Sequence, residues 1–186
     1  MPPRVKITKQ DIIETSVEMV RQSGEGALNA RSIASALGCS TQPIFSNFES
    51  IEELENEVYI AAYNRYLGFI EREVSSGAYP EYKAFGMAYI RFAREEKELF
   101  KLLFMCERNG KTNPPPPDYT ASVDILMQAK GITREKAELF HLEMWACVHG
   151  IGTMLATSFV ELDNELVSLM LTDVYQGLSK RLEAKE

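Results

Sequence analysis

The side chains that the sequence places best for recognising another molecule are Gln42, Ser46 and Asn47. At helical spacing they share one face, and Ile44 and Phe48 fall on the opposite, apolar face. The polar face contains no acid, and glutamine and asparagine amides match the hydrogen-bonding edge of adenine in the DNA major groove. The spacing therefore predicts a short helix that can read bases.

An amphipathic segment just before this helix completes a helix-turn-helix pattern. Asn29 can cap the segment by accepting a backbone N–H, and Gly38 permits the left-handed backbone that ends it. Ser40 or Thr41 is expected to cap the second helix through its side chain, with Pro43 in the first turn, where a missing N–H costs nothing. Helical hairpins are common, so this pattern alone leaves a purely structural hairpin as an equal alternative.

Other kinds of chemistry find little support. His141 and His149 share roughly one face of a predicted helix, but they are two turns apart, which is too far for both rings to ligate one ion. A structural role is therefore favoured over a metal site completed by Glu138 or Glu143. The chain has no glycine-rich phosphate loop and no nucleophile beside a local base. We expect no enzymatic activity, no metal and no cofactor.

Composition sets further bounds on the function. The chain has 186 residues, of which 45% are hydrophobic and 25% charged, as in ordinary globular proteins. No apolar run is long enough to span a bilayer and the N-terminus lacks the apolar core of a signal peptide, so a cytoplasmic protein without a membrane partner is expected. Cys39, Cys106 and Cys147 are odd in number and far apart, which disfavours disulfides and zinc sites.

The distribution of charge matters more than the net charge of −7, which at first argues against a polyanionic partner. Residues 1–50 carry five basic and five acidic side chains, so the excess of acid lies beyond Ser50. Arg4, Lys6 and Lys9 form a basic arm that could reach phosphates or a minor groove. A solubilising tail is an equal alternative for this arm.

Nearly all of the chain follows helical patterns. Helices are expected over about 8–23, 29–37, 41–48, 51–75, 82–94, 96–106, 121–130, 134–159 and 163–182. A loop over residues 107–119 is predicted, because its four consecutive prolines favour an extended conformation. The sequence thus predicts an all-α fold with one long interruption.

The last two helices, about 134–182, carry more apolar residues than one buried stripe requires. Helices with two apolar faces can satisfy a core and a partner at once. Gly150, Gly152 and Gly177 allow close backbone approach. These helices are therefore predicted to form a homodimer interface.

The order of features from Thr8 to Glu57 resembles the N-terminal DNA-binding domain of the TetR family of transcriptional regulators. The residues that carry this resemblance are Ile12, Met19, Val20, Gly24, Ile33, Ala34, Gly38, Cys39, Ser40, Ile44, Phe45, Ser46, Asn47, Phe48, Ser50 and Leu54. A shorter match, Trp145 to Gly150, resembles a tryptophan and His-Gly motif in the C-terminal regulatory domain of one TetR subgroup.

The resemblance implies a three-helix DNA-binding module in residues 1–50 and a larger helical regulatory and dimerisation domain in residues 51–186. The implied function is transcriptional repression: a homodimer binds double-stranded operator DNA and is released by a small, largely apolar effector. The alternative is a helical ligand-binding or interaction protein of the same fold that does not bind an operator.

The resemblance also implies two sets of site residues. DNA would be contacted by Arg4, Lys6, Lys9, Arg31, Ser40, Thr41, Gln42, Phe45, Ser46 and Asn47. The effector would be held by Met87, Phe92, Phe104, Met127, Met144, Trp145 and His149. Methionines beside aromatic rings suit an adaptable apolar pocket, but they suit an ordinary core equally well.

Two departures from the family pattern bear on DNA affinity. Phe45 stands where the family often has a phenolic hydroxyl, and Ile51 where it often has a phosphate-binding lysine. Five glutamates also follow the recognition helix, at positions 49, 52, 53, 55 and 57. We therefore expect DNA binding to be weak or salt-sensitive, or to depend on Gln42, Asn47, Thr41 and the N-terminal arm.

Overall fold

The computed structural model describes residues 7–106 and 117–184, and within these ranges the chain is helical without any strand. Its α-helices are α1 Lys9–Ser23, α2 Ala30–Ala36, α3 Gln42–Asn47, α4 Ile51–Ser76, α5 Glu81–Glu95, α6 Lys97–Phe104, α7 Pro117–Lys130, α8 Arg134–Ala156 and α9 Asn164–Glu183. A single turn of 3-10 helix, Glu25–Ala27, follows α1. The predicted all-α class is confirmed, whereas most of the predicted loop at 107–119 lies outside the described residues.

Local signals set the ends of the first two helices. Thr8 caps α1 by accepting from the backbone N–H of Asp11, whose carboxylate accepts the Thr8 N–H in return. Asn29 caps α2 as predicted. Gly38 ends α2 with a φ of 64°, and the next N–H, that of Cys39, donates to the Ala34 carbonyl at 2.9 Å. The turn before α3 is thus built as the sequence predicts.

The predicted side-chain cap on α3 is wrong. Thr41 precedes the helix but already has a right-handed helical backbone, with φ −72° and ψ −12°, and its side chain caps nothing. A capping side chain reaches the free N–H groups from an extended backbone, and Pro43 has no N–H to offer. The prediction that Ile44 and Phe48 face inward is confirmed, since they are 0% and 2% exposed.

Two later helix ends also differ from the predictions. Helix α7 begins at Pro117 rather than near residue 121, because the fixed φ of proline suits a first helical position, where no N–H is needed. Helix α8 ends at Ala156 rather than near Phe159. Ser158 adopts a left-handed φ of 56°, and the Phe159 N–H closes the turn on the Met154 carbonyl at 2.9 Å. Side chains cap both of the last two helices: Thr133 accepts the Lys136 N–H at the start of α8, and Asp163 accepts the Leu166 N–H at the start of α9.

Packing divides the chain into two compact units, one within Met1–Tyr66 and Glu96–Cys106, the other within Leu67–Glu95 and Glu107–Glu186. Helix α6 therefore packs in the same unit as α1, α2 and α3. The division into a DNA-binding domain of residues 1–50 and a regulatory domain of residues 51–186 stays a prediction.

In the first unit, α1 packs against α2, α3 and α6. The core of this unit consists of fully buried apolar side chains from each of these helices and from α4, namely Ile12, Val20, Ile33, Ile44, Leu54, Val58, Leu99 and Phe100. Burial of large aliphatic side chains of this kind contributes about 1.5 to 3 kcal/mol each. This core fixes the inner faces of α2 and α3, the two helices of the helix-turn-helix, through Ile33 and Ile44.

Glu96, the residue between α5 and α6, is a buried carboxylate held by two arginines of the first unit. Its side chain is 5% exposed, and it accepts from Arg21 Nε at 2.7 Å and from Arg65 Nη2 at 2.6 Å. The hydrogen bond to Glu96 is the largest cause of the raised pKa of Arg21. Because a buried carboxylate is tolerated only when it is paired and hydrogen-bonded, Glu96 fixes the start of α6 against α1 and α4.

In the second unit, α8 packs against α5, α7 and α9. Its core includes a cluster of Val123, Leu126, Ala137, Phe140 and Met144. Several side chains of α9 pack against this cluster from one side. Helix α8 is therefore the central element around which the second unit is built.

We predict that Glu96→Gln lowers the free energy of unfolding by about 2 kcal/mol, because charge-assisted hydrogen bonds to both arginines are lost. Urea denaturation followed by circular dichroism measures this change. The control is Glu95→Gln. The Glu95 side chain is 52% exposed, and its ion pair with Arg91 is long, at 4.0 Å. This control should change stability by less than about 0.5 kcal/mol. Equal losses in the two variants would contradict the role assigned to Glu96.

Candidate functional site

Helix α3 presents a polar face that is anchored from beneath. Ile44 and Phe48 hold it to the core, whereas Gln42, Phe45 and Ser46 are exposed, Phe45 to 55%. Six residues are too few for a helix to be stable by itself, so its shape depends on these anchors. The result is an anchored helix whose exposed face contains no acid and carries the ring of Phe45.

Two of the predicted DNA-binding side chains in α3 bond to their own helix. Ser46 Oγ donates to the Gln42 carbonyl at 2.8 Å, and Asn47 Nδ2 donates to the Pro43 carbonyl at 2.7 Å. Asn47 is also half-buried. Because an amide has two donors and one acceptor oxygen, Asn47 keeps only part of its capacity for another partner. Between the two amides, the exposed side chain of Gln42 is more available to an external partner than that of Asn47.

Lys9 is paired with two acids of α4, the helix that follows α3. Its Nζ lies 2.8 Å from Glu57 Oε1, 3.3 Å from Glu53 Oε1 and 5.0 Å from the centre of the Phe48 ring. The hydrogen bond to Glu57 is the largest cause of the raised pKa of Lys9. A phosphate would therefore have to compete with two carboxylates for this ammonium group.

The other basic residues predicted to bind DNA are placed differently. Arg31 on α2 is exposed and has no hydrogen bond or ion pair to any described residue. Arg4 and Lys6 lie outside the described residues. Ser40 is exposed and Thr41 half-buried, next to the start of α3. The structure describes two of the basic residues predicted to bind DNA, Lys9 and Arg31. Of these two, Arg31 is the one that is available to an external anion.

Part of the acidic run has a structural role. Glu53 Oε2 accepts the backbone N–H of Glu49 at 2.7 Å, and Ser50 Oγ accepts the Glu53 N–H at 3.2 Å. The hydrogen bond from Glu49 is the largest cause of the lowered pKa of Glu53. Acids in the first turn of a helix also interact favourably with its dipole. These contacts stabilise the start of α4 while placing negative charge near α3.

The second unit contains a cavity of about 330 Å³. It is lined by Pro80, Tyr82, Lys83, Phe85, Gly86, Tyr89, Ser122, His141, Met144, Trp145, Val148, Leu171, Thr172 and Tyr175. These residues come from α5, α7, α8 and α9 and from the turn before α5. The volume lies at the lower end of the range of about 300 to 1,000 Å³ that is usual for small-molecule pockets.

Four of the polar side chains that line the cavity are hydrogen-bonded to each other in two pairs. Tyr82 Oη lies 3.1 Å from His141 Nδ1, and Lys83 Nζ donates to Thr172 Oγ1 at 2.8 Å. Burial raises the pKa of Tyr82 and lowers those of His141 and Lys83. The tyrosine and histidine are therefore both neutral near pH 7. Either group can be the donor in the hydrogen bond between them, depending on the tautomer of His141.

Gly86 lies in the cavity wall, where α5 closely approaches α8 and α9. A Cβ at this position would lie 3.3 Å from both Leu171 Cδ1 and Val148 Cγ2. Such contacts are tighter than normal packing allows, so a larger residue on α5 would push against α8 and α9. No pattern in the sequence predicted a role for this glycine.

Met144 and Trp145, both predicted to hold the effector, line this cavity. His149 lies behind them: its ring stacks on Trp145 at 4.9 Å, and its Nδ1 lies 2.8 Å from Tyr89 Oη. Burial lowers the pKa of His149, so the neutral ring is favoured. Among the described residues no cluster of three or more potential ligands could hold a metal ion.

The remaining predicted pocket residues are elsewhere. Met87 and Phe92 are buried in the core at 4% and 0% exposure, and Met127 packs against the core cluster of the second unit. Phe104 belongs to the first unit, 5.3 Å from the Tyr66 ring. These are core positions, in line with the alternative left open for methionine and aromatic residues.

Most of the residues that line the cavity were not predicted from the sequence. Tyr82, Phe85, Gly86 and Tyr89 recur at intervals of three and four along α5, so they share a helical face. That periodicity was visible in the sequence, but it does not distinguish a face that lines a cavity from one that fills a core. Nothing local connects Lys83 with Thr172.

The segment that forms this cavity is also the segment that matches a known family. A family model for the tetracyclin repressor-like C-terminal domain matches residues 82–174, which is half of the chain. The chain belongs to the TetR family. The matched segment contains all of the cavity lining except Pro80 and Tyr175.

The fold comparison agrees with membership in the TetR family. A TetR family protein from Vibrio parahaemolyticus aligns over 91% of this chain and 97% of its own, with a TM-score of 0.63 and 16% sequence identity. At this identity the likeness shows the fold alone. No curated protein matches the sequence of the chain. No helix within the described residues is long and apolar enough to cross a bilayer.

Proposed function

We propose that this TetR family protein is a transcriptional repressor that binds operator DNA as a homodimer and is released when a small effector occupies the cavity. The observation that carries the proposal is the exposed face of α3, which projects Gln42, Phe45 and Ser46 from two buried anchors and contains no acid. Helices of this kind fit the major groove of B-DNA.

In this proposal each copy of α3 enters one major groove. Gln42 reads an adenine edge, and Asn47 adds a second contact with the donor it has left. Arg31 and the hydroxyls of Ser40 and Thr41 contact phosphates, which fix the position of the helix without reading sequence. Two copies would occupy successive grooves about 34 to 36 Å apart.

Exposed apolar side chains on α8 and α9 support dimerisation through residues of about 134–182. Leu139 and Leu142 on α8 are 52% and 56% exposed, and Leu166 and Leu169 on α9 are 43% and 55% exposed. A Cβ at Gly150, further along α8, would meet nothing within 4 Å. A surface with large apolar groups and room for close approach is typical of an interface between identical subunits.

An effector releases DNA in this proposal by binding better to a state that fits the operator poorly. Helix α5, which supplies much of the cavity lining, leads directly through Glu96 into α6. Helix α6 packs on α1, beside the helix-turn-helix. The chain itself therefore connects the cavity wall with the unit that carries α3.

A second candidate is a ligand-binding or interaction protein of the same fold that does not bind an operator. The ion pairs of Lys9 with Glu53 and Glu57 favour this second candidate, because a cation predicted to bind phosphate is already paired with two carboxylates. The absence of a hydroxyl at Phe45 and of a basic group at Ile51 points the same way. DNA-binding measurements decide between the two candidates.

We predict that Gln42→Ala combined with Asn47→Ala weakens binding to the DNA flanking the protein's own gene by about tenfold or more, since each good base contact contributes about 1 to 3 kcal/mol. Mobility shift at low and moderate salt measures this. Gln128→Ala, an exposed change on α7, is the control and should bind normally. A missing shift at low salt would reject the repressor function, and an unaffected double variant would reject α3 as the reader.

We predict that Glu53→Gln combined with Glu57→Gln strengthens DNA binding about three- to tenfold at low salt, because Lys9 is released and negative charge beside α3 is removed. The gain should shrink as salt increases. Glu161→Gln with Glu165→Gln makes the same change in net charge far along the chain and serves as the control in fluorescence anisotropy titrations. Equal gains in the two pairs would assign the effect to net charge and not to Lys9.

We predict that Leu142→Glu combined with Leu169→Glu converts a dimer into a monomer, raising the dimer dissociation constant at least about a hundredfold, since buried interface charges are costly. Sedimentation velocity measures the oligomeric state. Ile60→Glu introduces one such charge at another exposed apolar residue, on α4, and should leave the dimer intact. A wild-type protein that sediments as a monomer, or a double variant that stays dimeric, would reject this interface.

A further inference from the structure

The lining of the cavity contains an ammonium group without a counter-charge. Lys83 Nζ donates to Thr172 Oγ1 at 2.8 Å and lies 5.2 Å from the centre of the Tyr79 ring. Neither partner carries a negative charge, and Lys83 forms no ion pair with a carboxylate of the described residues. The described residues that line the cavity include no aspartate or glutamate.

This arrangement leaves Lys83 with unused capacity. An ammonium group has three donors, and the contact to Thr172 occupies one of them. Burial lowers the pKa of Lys83, and no carboxylate offsets this cost. An anion that enters the cavity would supply the missing charge, and hydrogen bonds between two ionised groups are roughly twice as strong as neutral ones.

The remainder of the lining sets the second requirement on a ligand. Phe85, Trp145, Val148 and Leu171 present mainly carbon, so most of the ligand must be apolar to replace water there favourably. Tyr82 and His141 are hydrogen-bonded to each other and contribute no fixed charge near pH 7. The ligand must therefore be amphipathic, with its charge at the Lys83 end.

The number of charges distinguishes a carboxylate from a phosphate monoester. Lys83 can balance one negative charge, and a second charge in mainly apolar surroundings would be desolvated without compensation. We propose that the cavity binds an amphipathic carboxylic acid, with the carboxylate on Lys83 Nζ and the apolar body against Phe85, Trp145 and Leu171. This inference rests on the proposed function and names the chemical class of its effector.

Trp145 provides a direct test, because it lines the cavity and is the one tryptophan of the chain. Its fluorescence is followed while the full-length protein is titrated with decanoate or with 1-decanol, both below the concentrations at which they aggregate. The two probes share their apolar chain and differ in the charged group. We expect decanoate to bind at least about tenfold more tightly than 1-decanol, a difference of about 1.4 kcal/mol.

Variants of Lys83 assign this preference to its charge. Lys83→Met should abolish the preference by weakening decanoate binding about tenfold while changing 1-decanol binding less than about threefold. Lys83→Arg should keep the preference, which excludes a general loss of structure. Lys180→Met, on the exposed side of α9 and outside the lining, makes the same change in net charge and should behave as the wild type.

The outcomes separate this inference from the proposed function. Equal binding of the two probes, or a preference for decanoate that survives in Lys83→Met, would overturn the carboxylate inference and leave an apolar effector possible. If neither probe changed the fluorescence of Trp145, both the carboxylate inference and the effector cavity would be rejected. Loss of the preference in Lys83→Met together with its retention in Lys83→Arg and Lys180→Met would support the inference.

Discussion

The arrangement of the first unit depends on a buried carboxylate that needs two cations. Glu96 cannot leave water without partners, so Arg21 from α1 and Arg65 from α4 must meet it where α6 begins. This requirement packs α6 against α1 and makes it part of the unit that carries the helix-turn-helix. In the chain, Glu96 is also the residue that follows α5, the helix that contributes Tyr82, Lys83, Phe85, Gly86 and Tyr89 to the cavity lining.

Two features determine what the exposed face of α3 can bind: the buried anchors that hold the helix and the charged side chains beside it. Burial of Ile44 and Phe48 gives the six-residue helix α3 a stability that it could not have alone. The same region carries Glu53, which accepts a backbone N–H at the start of α4, and both Glu53 and Glu57 pair with Lys9. Shape therefore favours DNA binding more strongly than charge does, and affinity should depend on how readily phosphates displace these carboxylates.

The cavity combines a steric and an electrostatic feature of one helix. Gly86 lets α5 approach Leu171 and Val148 closely, and Lys83, three residues earlier, brings in a charge that no described acid balances. Membership in the TetR family gives this region a regulatory context. The groups that line the cavity would define which ligands fit the proposed effector site.

Sequence alone determined the features that depend on residues a few positions apart. The caps at Thr8 and Asn29, the left-handed Gly38 and the inward face of α3 follow from hydrogen bonds and periodicities within four or five residues. Tertiary structure decided the rest, because those contacts join residues that no local pattern relates. Glu96 meets a partner 75 positions away in the chain, and Lys83 meets Thr172 across 89 positions. Whether an apolar side chain fills the core or lines the cavity is likewise decided by which helices pack around it, and that is not encoded in the periodicity of one helix.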